Sequence, residues 1–121
     1  MLVYAKTDIG KAREMNQDFI YVSQNQNNMQ LCILADGMGG YKGGEIASKL
    51  ATISAKQYIE NNIGNIDLEY ESLLNLIKKA MEFANLEVHN KATQIEELEL
   101  MGTTLEICLI IRKQNVYRAY R

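Results

Sequence analysis

The chain has 121 residues, 47% of them hydrophobic and 23% charged, with 13 Lys and Arg against 15 Asp and Glu for a formal charge of −2. These values exclude a disordered or collagen-like chain, and they disfavour a basic nucleic-acid binder, whose electrostatic footprint is a large Lys/Arg excess. One small domain at most is expected, burying roughly two thirds of its unfolded surface.

In chain order, Leu2 to Thr7 reads as a short strand, and Asp18 to Ser23, rich in aromatic and β-branched residues, as a second. The polar stretch Gln24 to Gln30 has Met29 as its only apolar residue and is expected to be a hairpin turn. Leu31 to Ala35 is a continuous apolar run of strand length, the pattern of a strand covered on both faces. After the glycine-rich stretch Asp36 to Gly44 the period becomes helical. Ile46, Leu50, Ile53 and Gln57 form one row, and Ala47, Ala51, Ser54 and Tyr58 the next. This predicts a helix from about Gly44 to Asn61, closed at Asn61-Asn62-Ile63-Gly64. A second long helix carries Leu74, Ile77, Met81, Ala84 and Val88 on one face and Lys78, Lys79, Glu82 and Glu87 on the other. Met101-Gly102-Thr103-Thr104 leads into an apolar strand from Leu105 to Ile111, and Val116 to Tyr120 is a candidate last strand. Runs of strands and runs of helices, without strict alternation, indicate an α+β arrangement with helices packed on an antiparallel sheet.

The longest apolar runs, Leu31 to Ala35 and Ile107 to Ile111, are five residues each, against the about 20 a membrane span needs. The N-terminus shows no charged start followed by a long apolar stretch, so no signal peptide is expected and the cytoplasm is the default compartment. Cys32 and Cys108 lie inside the two apolar runs without C-x-x-C spacing and are expected to be core residues.

Asp36-Gly37-Met38-Gly39-Gly40 directly follows an apolar strand. A carboxylate at a strand end, followed by glycines that expose backbone carbonyls, presents the oxygen ligands that hard cations such as Mg²⁺ and Mn²⁺ prefer. A tight turn opened by Asp, or a phosphate-cradling loop, has the same residues. Upstream stands Arg13-Glu14-Met15-Asn16-Gln17-Asp18. Counting from Asn27 at the centre of the expected turn, Asp18 is nine residues back and Asp36 nine forward, so antiparallel pairing sets them opposite each other. Two facing carboxylates repel unless a cation lies between them, which makes the pair a candidate metal site. Arg13, a permanently charged planar fork, suits a phosphate oxygen.

Arg13-x-x-Asn16-Gln17-Asp18, Asp36-Gly37-Met38-Gly39-Gly40 and Met101-Gly102-Thr103-Thr104, in that order, resemble the first three signature blocks of the metal-dependent (type 2C, PPM) serine/threonine protein phosphatases, in the bacterial variant with Met after Asp-Gly. Thr7-Asp8-Ile9-Gly10 is similar to its bacterial members too. The resemblance implies a four-layer α/β/β/α sandwich, with residues 1–121 the N-terminal part of a single catalytic domain. It implies two Mn²⁺ or Mg²⁺ ions, Asp36 bridging them, the Gly37 carbonyl completing one, Asp18 at the second and Arg13 on the substrate phosphate. Arg13, Asp18 and Asp36 are thereby the implied catalytic residues, and Gly102 to Thr104 the structural support beside the metals. Implied partners are phosphorylated proteins and a cognate serine/threonine kinase, with neither nucleic acid nor membrane, and the complete domain is expected to be monomeric.

The chain also departs from the pattern. Gln17 stands where many members have Glu, an amide that can only hydrogen-bond and is expected to reach a metal-bound water. Met38 takes the place of a His proposed as general acid elsewhere in the family, and Met donates no proton. The single histidine, His89, falls on the second helix beside the apolar residue Val88 and reads as structural or solvated. The later blocks, a Gly-Asp-Ser-Arg strand and then Asp-Gly and Asp-Asn pairs, have no counterpart, and Asp8 and Asp67 are the only other aspartates. Asn115-Val116-Tyr117 resembles the start of the strand leading to Gly-Asp-Ser-Arg, and Arg118 to Arg121 resembles the segment after that block, as if a short stretch were absent between them. With so few anionic ligands the chain alone is expected to be inactive. The alternative is a catalytically inactive interaction module that completes its sheet with a partner chain. Nucleotide binding has neither G-x-x-x-x-G-K-[ST] nor G-x-G-x-x-G to support it.

Overall fold

A computed structural model describes residues 2–24, 28–114 and 116–121, with Tyr41 described through its backbone alone. The elements are β1 (Asp18–Val22), β2 (Met29–Met38), α1 (Gly40–Asn62), α2 (Tyr70–Gln94), β3 (Gly102–Thr103), β4 (Glu106–Lys113) and β5 (Val116–Tyr120), with single 3₁₀ turns at Ile63–Asn65 and Glu96–Leu98. The sheet order is β1-β2-β4-β5, every pair antiparallel, and the two-residue β3 pairs with the end of β2. This is the α+β arrangement that the grouping of the elements predicts. The middle of the hairpin turn expected between Gln24 and Gln30 lies outside the described residues. Its near end closes through the Ser23 N–H donating to the Leu31 carbonyl at 2.8 Å.

Because side chains alternate along a strand, each paired position assigns residues to a face. Leu31, Ile33 and Ala35 of β2 share one face with Tyr21 of β1 and with Ile107, Leu109 and Ile111 of β4. The helices cover that face. α1 packs on β1 and β2 and against α2, and α2 reaches β5 through Tyr70 and Tyr120, whose rings lie 5.9 Å apart. The inter-helix core is made of small residues, Ala47, Ala51 and Ala55 against Ala80 and Ala84, closed by Ile59 and Leu73; small side chains let the two backbones approach closely. At the sheet edge Tyr21 donates its hydroxyl to Glu60 at 3.1 Å while Lys56 sits 5.0 Å over its ring.

Several expectations need correction. Leu2 to Thr7 is not a strand: it pairs with no strand among the described residues, Leu2 is 97% and Tyr4 83% exposed, and Val3 to Lys6 run as irregular chain, lining a cavity with Ile20, Val22, Cys32 and Leu34. β2 is covered on one face, not two, since Ile33 is 1% exposed and Leu34 beside it 42%. Cys32 and Cys108 are therefore not core residues; they pair across β2 and β4 on the uncovered face, each half-buried. β2 continues past Ala35 to Met38 because β3 supplies the next partner, and α1 starts at Gly40, one turn earlier than its periodicity shows. On α2 the buried stripe runs Leu73, Ile77, Ala80, Ala84, Val88 and leaves Met81 exposed. The alanines, not the larger neighbours, face α1. β5 forms as expected and runs through Tyr117 and Arg118, paired with Arg112 and Ile111. Asn115, the first residue of the resemblance at that point, lies outside the described residues. Among the described residues no helix is long and apolar enough to cross a membrane.

Candidate metal centre

Asp18 opens β1 and Asp36 lies near the end of β2, and the ladder sets them directly opposite each other, as the count from Asn27 requires. Both belong to the uncovered face, the one carrying Cys32, Leu34 and Cys108, and Asp36 is exposed. The pair thus sits at one end of the open side of the sheet, away from the helix layer.

Each aspartate is fixed by its own neighbours. The Asn16 side-chain oxygen accepts the Asp18 backbone N–H at 3.1 Å, an Asx-type contact that sets where β1 begins. Asn16 Nδ2 donates to the Thr7 hydroxyl at 3.0 Å, and that hydroxyl donates to Asp18 Oδ2 at 3.2 Å. On the other strand, Thr104 brackets Asp36. Its hydroxyl accepts the Asp36 N–H at 3.0 Å, and its own N–H donates to the Asp36 carbonyl at 2.9 Å. Thr103 and Gly102 then pair with Gly37 and Met38. Met101 to Thr104 is the structural prop of the Asp-Gly turn, the part the resemblance gave it.

The turn depends on glycine at two places. A Cβ at Gly37 would lie 2.0 Å from the Gly44 carbonyl oxygen, so the end of β2 and the first turn of α1 touch through bare backbone. Gly39 has φ 122°, and a Cβ there would meet Met101 Cα at 2.5 Å. Together these contacts turn the chain from strand to helix within one residue and leave Asp36 facing outward.

The other sequence candidates are dispersed. Arg13 is exposed and lines a shallow cavity of about 320 Å³ with Glu14, Met15, Gln17 and Gly40; among the described residues it makes no ion pair. The Gln17 side chain turns toward the start of α1, its Nε2 donating to the Gly40 carbonyl at 2.7 Å. Met38 is 57% exposed. His89 is exposed on α2 and lines a separate cavity of about 410 Å³ with Asn85, Glu99 and Met101. Asp8 accepts the Gly10 N–H at 2.8 Å, and Asp67 the Glu69 N–H at 3.2 Å ahead of α2. A hydrogen bond from Ser72 holds the Asp67 carboxyl below its usual range. Both serve turns. Thr7, Asn16 and Thr104 are the supports that sequence reasoning left without individual roles. An Asn two residues before an Asp at a strand start was a readable signal for Asn16; Thr7 carries none.

Among the described residues no group of three or more His, Cys, Asp and Glu converges as a metal cluster. The donors of the Asp18–Asp36 pair are all oxygen, which suits a hard divalent cation in type, while two carboxylates fall short of the about six ligands such an ion takes.

The protein phosphatase 2C family model matches residues 10–119. A protein phosphatase of Streptococcus pneumoniae, PhpP, is 35% identical over 112 residues, 92% of this chain and 44% of its own length, and a putative 2C-type phosphatase of Streptococcus pyogenes is 31% identical over 97% of this chain and 46% of its own length. Among solved structures, the Mycobacterium tuberculosis serine/threonine phosphatase PstP/Ppp superposes with a TM-score of 0.67 at 31% identity, over 93% of this chain and 42% of that one. Staphylococcus aureus Stp1 superposes with 0.71 at 32% identity, over 90% and 41%. The chain spans about half the length of the relatives it matches. A family match over nearly the whole chain, with the three blocks placed around one strand end, assigns the protein to the protein phosphatase 2C family.

Proposed function

We propose that residues 1–121 are the N-terminal part of one protein serine/threonine phosphatase domain, carrying half of a two-metal centre. The observation that carries this reading is the address of the aspartates: Asp18 and Asp36 face each other on the side of the sheet away from the helices, where Leu34 is 42% exposed. A second half-domain packed on that face would bury Leu34, Cys32 and Cys108 and bring its own acidic ligands to the same edge. Relatives about twice as long are consistent with such a half.

On this reading Asp18, Asp36 and the Gly37 carbonyl hold two Mn²⁺ or Mg²⁺ ions together with ligands from the remainder. Ions held there would supply an activated water and neutralise charge on the phosphoryl oxygens of a phosphoserine or phosphothreonine. The chain's own residues then divide the work. Arg13 orients the substrate phosphate through its planar guanidinium, Asn16 and Thr7 hold the Asp18 carboxylate in place, and Thr104 fixes Asp36. Met38 donates no proton, so the leaving group takes its proton from another source. The substrates are cytoplasmic phosphoproteins made by a serine/threonine kinase whose action the enzyme reverses, and the complete domain acts as a monomer. The reading as an inactive interaction module uses the same open face, but it gives no reason for two carboxylates to be braced opposite each other at its edge.

The test is complementation. Co-expressing the chain with the C-terminal half of the S. pneumoniae relative should give Mn²⁺-dependent release of phosphate from a phosphothreonine peptide, abolished by Asp36→Asn. A stable, folded complex that releases nothing with Mn²⁺ present contradicts the proposal.

A further inference from the structure

Gln17 contacts the Asp36–Gly44 turn at three points. Its backbone carbonyl accepts the Gly37 N–H at 3.1 Å, one residue beyond the Asp18–Asp36 pair. Its side-chain Nε2 donates to the carbonyl of Gly40, the first residue of α1, at 2.7 Å. The amide group also lies against Gly44: a Cβ there would meet Gln17 Cδ at 2.7 Å and Oε1 at 2.8 Å. The side chain therefore fills the gap between the start of β1 and the first turn of α1, where β2 has just ended. α1 has no side-chain cap of its own, its N-cap being Gly39, so the Gln17 amide is a side-chain tie holding the helix start to the strand that carries Asp18.

We infer that Gln17 is a positioning residue whose amide N–H, by pinning the Gly40 carbonyl, fixes the Asp36–Gly37 turn opposite Asp18. The inference deepens the metal-centre reading and rests on it only for its second consequence, the effect on metal binding. A carboxylate at this position is acceptor-only when ionised and would face the Gly40 carbonyl with no proton between them; once protonated it donates. Amide and carboxylate, nearly equal in shape, are thus opposite in what they do here. Methionine matches the length and donates nothing.

The experiment uses the 121-residue chain with Gln17→Glu and Gln17→Met, read by amide hydrogen exchange in the absence of metal and by Mn²⁺-induced broadening of amide resonances. Loss of one hydrogen bond predicts roughly tenfold faster exchange at Gly37 and through the first turn of α1 in Gln17→Met. Gln17→Glu, ionised and acceptor-only at neutral pH, should match it at pH 7. Exchange in α2 between Ile77 and Val88 should stay at the parent's level and report an intact fold. With Mn²⁺, both variants should need several-fold more metal to broaden Asp18 and Asp36. Unchanged exchange at Gly37 and through the first turn of α1 in Gln17→Met overturns the inference. Altered exchange with no localised Mn²⁺ effect in any chain, the parent included, leaves the tie standing and sinks the metal reading instead.

Discussion

The two faces of the sheet are built from similar residues and behave differently. On one, Leu31, Ile33, Leu109 and Ile111 lie under the helices with at most 4% of their surface exposed; on the other, Leu34 keeps 42%. Apolar residues set side by side on one strand have thus met different fates, and the reason is what lies opposite. The helix face is covered by α1 and α2, whereas the other face is bordered by the irregular segment Val3 to Lys6 and carries the paired aspartates at its edge. Stability is concentrated on the first and the chemistry on the second.

Truncation sharpens that contrast most. Leu109→Ala, at a fully buried position on the helix face, should cost about 2–5 kcal/mol in chemical denaturation, while Leu34→Ala on the open face should stay within about 0.5 kcal/mol. Equal losses would mean that the open face is covered in solution, and adding the complementary half-domain should make Leu34 matter.

A smaller effect probes the same face through its thiols. Burial raises the Cys32 thiol, with Cys108 beside it adding to the shift; burial also raises Cys108, partly offset by Arg121. A group whose folded pKa lies above its unfolded one stabilises the fold below the unfolded value and loses that contribution as the pH rises through the folded one. Stability should therefore decline modestly above the ordinary thiol range near pH 8.5, and the decline should shrink in a Cys32→Ala, Cys108→Ala variant. Urea melts between neutral pH and pH 10 measure it.

How much of this was readable beforehand depends on whether a feature is local. The facing of Asp18 and Asp36 comes from counting out of one hairpin, since register is fixed once the turn is placed. Single coverage of β2 was hidden because Cys32 and Leu34 are as apolar as their neighbours, and the sequence of a strand does not say whether its second cover belongs to the same chain. On α2, Ile77, Ala84 and Val88 lie on the buried stripe as expected, while Leu74 is only partly buried and Met81 is exposed; both outweigh Ala80 on any hydropathy count, while close helix packing selects the alanine. The strand pattern of Leu2 to Thr7 pairs with no strand among the described residues, and periodicity alone could not decide it. Gln17 was visible only as a departure from a motif, and its tie to Gly40 spans 23 positions, beyond the reach of local pattern.

The central claim is that Asp18 and Asp36 form part of a divalent-metal site on the open face. Titrating Mn²⁺ into the chain and monitoring backbone amide broadening tests it most directly. The account predicts weak binding that broadens Asp18, Asp36 and Gly37 first and is lost in Asp36→Asn. Broadening spread over the acidic surface, or the same pattern persisting in Asp36→Asn, would contradict it.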